Sequence, residues 1–128
     1  MKKKEIGKFG EDYCVAKLIE QGYEIVAQNF HSPYGEIDII AKDKYNFVFI
    51  EVKTRTKESI EQAQCSISAS KQRKLTKTAM YYLKDYQSPA ELIEFRFDVI
   101  IVKKDKDGLL MKHFINAFPA AQVSDFFI

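Results

Sequence analysis

A chain of 128 residues is enough for one domain spanning 1–128; at this size folding buries roughly two-thirds of the unfolded surface, so no disulfide or structural metal is required. A hydrophobic content of 46% excludes a disordered chain, and a net charge of only +2 excludes a polycation. Any affinity for nucleic acid must therefore come from local clustering of basic residues.

The chain opens with Met1-Lys2-Lys3-Lys4, but Glu5 to Asp12 is no apolar run, so a signal peptide is not expected. Glu5 to Gln21 reads as a helix. Ile6, Phe9, Tyr13 and Ala16 recur at helical spacing, Leu18 and Ile19 broaden the stripe, and Gly22 is the stop signal. Tyr23 to Phe30 alternates weakly as a strand. Two strands follow, Gly35-Glu36-Ile37-Asp38-Ile39-Ile40 and Phe49-Ile50-Glu51-Val52-Lys53, with Asp43-Lys44-Tyr45-Asn46 as the hairpin turn. Thr56 to Ser66 is a polar loop. A second helix is predicted from Ser68 to Tyr86, with Leu75, Ala79, Tyr82, Leu83 and Tyr86 as its apolar stripe and Ser88-Pro89 as its end. Phe95 to Lys103 is a strand, Asp105-Lys106-Asp107-Gly108 a turn, and Leu109 to Phe114 a last strand. The order α-β-β-β-α-β plus one strand predicts an α/β fold: a mixed sheet with helices packed on it.

The central hairpin carries the chemistry. A two-residue loop at Lys44-Tyr45 and a four-residue loop from Asp43 to Asn46 give the same register. Asp38 then lies opposite Glu51, Glu36 opposite Lys53 and Ile40 opposite Phe49. The other face holds Ile37 with Val52, Ile39 with Ile50 and Ala41 with Val48, and is wholly apolar. Opposed Cβ atoms in such a pair are about 4.5–5.5 Å apart, and like charges there destabilise. A divalent cation between Asp38 and Glu51 would remove the conflict, since Mg²⁺ is commonly held by one or two carboxylates plus water and phosphate oxygens. Lys53 shares the Glu51 face and suits the orienting of a water or the offsetting of charge on a phosphate. The competing reading is structural: a Glu36–Lys53 ion pair, Asp38 capping a loop, and Glu51 at a strand end.

These residues resemble the PD-(D/E)XK nuclease superfamily, the restriction-endonuclease-like fold. More narrowly, Gly35-Glu36-Ile37-Asp38 with Phe49-Ile50-Glu51-Val52-Lys53-Thr54-Arg55 resembles the YraN-like family of small bacterial proteins. The likeness extends over Gly7-Lys8-Phe9-Gly10-Glu11, Lys71-Gln72-Arg73-Lys74-Leu75, Arg96-Phe97-Asp98-Val99-Ile100 and Ile115-Asn116-Ala117-Phe118. Ile37 stands at the superfamily's nominal proline. The family is similar to archaeal Holliday junction resolvases. The resemblance implies nuclease architecture, a glutamate on the first helix (Glu11) completing a metal shell, and a lysine or glutamine on the second (Lys71 or Gln72) assisting the site.

The residues also speak for themselves. Lys71, Arg73, Lys74 and Lys77 crowd the first half of the second helix, where cations oppose the helix dipole; an anion there explains what stability does not. The bland alternative is a solvated helix face. Glu11 is flanked by Gly7 and Gly10, which suggests close packing of that helix on the sheet; the alternative is a surface glutamate. Arg55 continues the Lys53 face toward a phosphate. Asp98 falls beside Arg96 in a strand and is read as an ion pair outside the catalytic set. His31 and His113 read as surface or strand residues, and Cys14 as core. Neither Cys14 nor Cys65 has a Cys or His at zinc spacing. With no membrane-length apolar stretch, the expected setting is cytoplasmic.

The expectation is thus a Mg²⁺- or Mn²⁺-dependent endonuclease acting on DNA, branched or structured, with Asp38, Glu51 and Glu11 at the metal. The alternative is a catalytically silent nucleic-acid-binding or partner-docking module. Phosphate contacts alone do not distinguish DNA from RNA. The tail Pro119 to Ile128, with Val123, Phe126, Phe127 and Ile128, reads either as the interface of a homodimer or as a strip packed back on the domain.

Overall fold

The structure is a computed structural model that describes residues 3–55, 67–86 and 93–122. The polar loop at Thr56 to Ser66, Cys65, the Ser88-Pro89 stop and the tail from Val123 lie outside the described residues. Helix α1 spans Lys3–Glu20, followed by strands β1 (Glu24–Ser32), β2 (Gly35–Asp43) and β3 (Asn46–Arg55). Helix α2 spans Ala69–Leu83, and β4 (Phe95–Asp105) and β5 (Gly108–Phe118) complete the order. The five strands form one sheet in sequence order; β3 and β4 are parallel, joined across α2, and the other neighbours are antiparallel. The predicted α/β mixed sheet is therefore the observed architecture, with one helix against each apolar cluster.

The β2–β3 hairpin turns at Lys44-Tyr45, with Lys44 at φ 60° as a tight two-residue turn requires. Its register pairs Ile39 with Ile50, Ile40 with Phe49 and Ala41 with Val48, as the spacing predicts. Ladder pairing of β2 with β3 ends at Ile39 and Ile50, whereas β3 stays paired with β4 as far as Arg55 and Lys103. The sheet therefore forks just before Asp38 and Glu51.

The faces differ from the expectation at one residue. Ile39, Ala41, Val48 and Ile50 pack with Cys14 and Leu18 of α1. Ile37 instead joins Ile40, Phe49 and the α2 residues Leu75, Ala79 and Leu83. Strict alternation would keep Ile37 and Ile40 on opposite faces. Alternation is therefore broken in β2 between Ile37 and Ile40, and its neighbour β1 is irregular at the same level, where Asn29 has φ 52°.

The α1 stripe also needs correction. The buried line is Gly10, Cys14 and Leu18, while Phe9 is 47% and Ile19 57% exposed and Ala16 faces solvent. The cause is a close approach: a Cβ on Gly10 would run into Thr54 Oγ1, with Thr54 Cβ at 3.3 Å. A helix that near the strand presents its small residues and leaves the aromatic side chains at its flanks. Gly7 meets nothing and plays no such part. Helix α2 ends at Leu83 rather than Tyr86; Leu75, Ala79 and Leu83 are its buried stripe, Tyr82 is partly buried, and Tyr86 is exposed.

Candidate functional site

The fork in the sheet leaves backbone groups that a strand would otherwise satisfy. Asp38 takes over that role: its Oδ2 accepts a 2.8 Å hydrogen bond from Val52 N–H. Burial raises the Asp38 pKa above its ordinary value and the Glu36 charge adds to this, against the Val52 hydrogen bond and the Lys71 charge.

Glu51 follows on β3, on the α2 side. Its carboxyl is 14% exposed and its Oε1 lies 3.5 Å from Lys71 Nζ. Burial, and next the Asp38 charge, push its pKa from 4.5 to about 7, against the opposing pull of Lys71 and Lys53. Lys53, two residues on, is only 9% exposed. Lys71 enters from the first turn of α2, whose N-cap Ser68 accepts from Lys71 N–H at 3.1 Å.

Glu11 reaches the same place from α1. With Gly10 against Thr54, the helix carries Glu11 on its sheet-facing side rather than off it. Burial, and next the Asp38 charge, raise its pKa from 4.5 to about 7, although Asn29 hydrogen-bonds the carboxyl. Its Oε1 is buried without a hydrogen-bond partner. An orphaned carboxylate oxygen beside another acid is costly and calls for a proton or a cation.

Glu11 and Glu51 thus both feel the Asp38 charge, and Lys53 and Lys71 act on Glu51, so the forked end of the sheet is an acidic rim with two lysines beside it. An open cleft of about 390 Å³ there is lined by Glu51, Val52, Lys53, Thr54, Arg55, Ile67, Ser68 and Lys71. Among the described residues, no group of three His, Cys, Asp or Glu side chains is close enough to form a ready-made metal cage. A pair of carboxylates completed by water and substrate oxygens is the mode this donor set fits.

Other sequence candidates fall elsewhere. Gln72 donates to Ile67 O at 3.2 Å, in the chain entering α2, and the cleft lined by Glu51, Lys53 and Lys71 does not include it. Glu36 is exposed and pairs with His31 at 3.1 Å rather than holding the expected cross-strand position against Lys53. Arg55 stays at the cleft, with Nη1 donating to Thr54 O at 3.1 Å. Arg73 and Lys74 project into solvent, and Lys77 lies over the Tyr34 ring, 5.8 Å from its centroid. Sequence reasoning missed Asn29. Its signal was weak but present: an asparagine in a strand, the residue type that most readily takes positive φ.

Asp98 behaves differently. It is fully buried, bonded by Arg96 Nε at 3.0 Å, His113 Nε2 at 2.7 Å and Asn116 N–H at 2.9 Å. Arg96 also reaches Tyr23 Oη at 2.9 Å and Asp43 at 3.5 Å. Burial opposes ionisation of Asp98, but the hydrogen bonds from His113, Arg96 and Asn116 outweigh it and hold the pKa below the ordinary value. The Arg96–Asp98 pair was expected; the inward place of His113, a strand residue of β5, was not.

No helix among the described residues is long and apolar enough to cross a membrane. Residues 10–102 match the Uncharacterised protein family UPF0102. A UPF0102 protein of Desulfosudis oleivorans is 44% identical over 92% of this chain and 93% of its own length. One from Thermodesulfovibrio yellowstonii is 40% identical over 89% of this chain and 96% of its own. One from Lachnoclostridium phytofermentans is 40% identical over 94% of this chain and 98% of its own. A match of this length, with relatives this similar from end to end, means that the chain belongs to the UPF0102 family.

Proposed function

We propose that this protein is a Mg²⁺- or Mn²⁺-dependent endonuclease of restriction-endonuclease-like architecture that hydrolyses phosphodiester bonds in DNA, with branched or structured DNA as the preferred substrate. The observation that carries the reading is the trio Glu11, Asp38 and Glu51. Burial suppresses the ionisation of all three acids, which come from three elements; the Asp38 charge adds to this at Glu11 and Glu51, and one Glu11 oxygen has no partner. The resemblance of the same residues to the nuclease and resolvase pattern supports the same reading.

Asp38 and Glu51 would hold the ion, with the free Oε1 of Glu11 turned toward it. A bound divalent cation supplies polarisation of a phosphoryl oxygen and a more acidic water. The protein's own residues do the rest. Lys53, nearly buried beside Glu51, offsets negative charge growing on the phosphate. Lys71 neutralises Glu51 while the site is empty of substrate and is close enough to exchange that carboxylate for a phosphate oxygen. Arg55 and the basic residues of α2 hold the backbone.

A second reading, a silent binding module on the same scaffold, draws on two observations: the Lys71–Glu51 contact, and the lack of a three-residue cage among the described residues. One experiment separates the readings. The purified chain is melted with and without Mn²⁺ and incubated with duplex, single-stranded, flapped and four-way DNA, alongside Asp38→Asn and Glu51→Gln. The nuclease reading expects a Mn²⁺-dependent rise in Tm and metal-dependent cleavage, both lost in each variant while the fold persists. DNA binding indifferent to metal, with no cleavage of any substrate, supports the silent module.

A further inference from the structure

Beyond the carboxylate rim, the flank of α2 leads somewhere. Lys71, Lys74, Thr78 and Tyr81 are three or four residues apart and lie on one side of the helix. Lys71 touches Glu51, and ten residues of α-helix later, about 15 Å along the axis, Tyr81 meets Tyr34. The flank is basic where it leaves the acids, at Lys71 and Lys74, passes under the hairpin tip at the fully buried Thr78, and emerges at two tyrosines.

The tyrosine end is firmly built. Tyr34 sits at the tip of the β1–β2 hairpin, a position where turn chemistry favours small polar residues, and it is 40% exposed. Its ring meets Tyr81 edge-on, centroids 6.2 Å apart at 69°, and Tyr81 leans on Phe30 at 6.3 Å. The hairpin tip is fastened to α2. Ser32 Oγ accepts from Tyr34 N–H at 3.0 Å and lies 3.2 Å from Thr78 Oγ1, and a Cβ on Gly35, at φ 150°, would be in van der Waals contact with Thr78 and Lys74. Cations stand over both rings: Lys77 Nζ 5.8 Å from the Tyr34 centroid and Lys84 Nζ 4.5 Å from that of Tyr81. Lys84 is itself neutralised by Asp85 at 3.1 Å, whereas Arg73, Lys74 and Lys77 have no acidic partner among the described residues.

We propose that the hairpin tip and α2 form a stacking site for the unpaired bases of a single-stranded nucleic-acid segment, with Tyr34 and Tyr81 as the platform and Lys74 and Lys77 on the phosphates. The proposal rests on the reading of the rim as a phosphodiester site in one respect: the same side of α2 begins beside it, at Lys71. A strand is the occupant because its two chemistries alternate as the flank does, anionic backbone beside apolar ring faces. A duplex does not fit, since its bases hide their faces against one another and offer tyrosine nothing to stack on. A protein whose net charge is only +2 gains little from bulk electrostatics, so aromatic contact is the more effective source of affinity.

The test uses the full chain in EDTA, so that no strand is cut, with three labelled probes: a mixed-sequence single strand, the same strand made abasic, and a blunt duplex. The double variant Tyr34→Ala/Tyr81→Ala is expected to lose about 5- to 150-fold in affinity for the single strand per base unstacked. Tyr34→Phe/Tyr81→Phe keeps most of it, which separates stacking from damage to the hairpin. The abasic strand should bind wild type as weakly as the intact strand binds the alanine variant, and duplex affinity should change less than about twofold. Equal wild-type affinity for intact and abasic strands, an equal loss on duplex, or no binding of single strand at all would overturn the proposal. Melting each protein separately, in EDTA-free buffer with and without Mn²⁺, keeps the two readings apart. A Mn²⁺ shift without base dependence leaves the metal site standing and removes the platform; base dependence without a Mn²⁺ shift does the reverse.

Discussion

The sheet contains two sets of buried acids, and they are treated in opposite ways. Asp98 is surrounded by donors from β4 and β5 and its pKa is driven down. Glu11, Asp38 and Glu51 have fewer partners, Asn29, the Val52 N–H and Lys71 with Lys53 respectively; these do not offset burial and like charge, and their pKa values are driven up. Both sets interrupt strands or helices that otherwise bury apolar residues, so burial alone does not distinguish them. The number of donors does. An acid whose lone pairs are all answered belongs to the structure; one left with an orphaned oxygen beside a like charge belongs to something that binds.

Breaking the satisfied set should have the largest effect. Asp98→Ala leaves the Arg96 guanidinium and His113 without their shared acceptor in a buried setting. It is expected to cost about 3–5 kcal/mol, read as a fall in the denaturant midpoint. A loss below about 1 kcal/mol would mean that the network is not structural. Next comes the seam that carries Glu11 to the rim. Gly10→Ala drives a methyl into Thr54 and should cost about 1–3 kcal/mol by the same measure, and it should weaken the Mn²⁺-dependent rise in Tm because the helix must lift. Gly7→Ala, which meets open space, is the control and should not destabilise.

The smallest effect has the opposite sign and sharpens the contrast most. Glu51 titrates near 7 in the fold against 4.5 unfolded, so between those values the folded chain holds a proton that the unfolded chain has released. Stability of the metal-free protein should therefore fall as pH rises from about 4.5 to about 7, with the penalty complete above that. Glu11 contributes in the same direction over the same window. Glu51→Gln should stabilise the metal-free protein by on the order of 1 kcal/mol at pH 8 and hardly at all at pH 5. Asp98 works the other way: its contribution is present above its ordinary pKa of 3.8 and is lost on acidification below that. Melting curves in EDTA from pH 4 to 8 measure both trends. A stability that rises steadily to pH 8 would contradict the unsatisfied state of the rim.

Much of this was legible in the residues. The order of elements and the hairpin register as far as Ile39 and Ile50 follow from alternation and turn length, both local properties; the expected Asp38–Glu51 and Glu36–Lys53 cross-strand pairs lie beyond the point where the ladder forks. Cys14 and Leu18 were legible as buried residues, and Gly10 as a sign of close packing on the sheet. What was not legible is which apolar residues that close approach displaces: Phe9, Ala16 and Ile19 share the helical spacing but are left at the exposed flank. The break in alternation that leaves Ile37 on the α2 side with Ile40 is likewise a local irregularity that the residue pattern does not show. Gln72 and Glu36 carry the right chemistry in the right neighbourhood, but a neighbouring carbonyl and His31 claim them first.

Cys14 turns the α1 seam into a clock. Its thiol is fully buried, and burial raises its pKa to about 12, so the folded chain presents almost no thiolate to an alkylating reagent. Modification of that sulfur, tracked by mass at the peptide level, can proceed only through openings that peel α1 from β3. Because Glu11 rides on the same turn of the helix, the labelling rate also reports how often the acidic rim comes apart, and a ligand bridging helix and sheet would slow it.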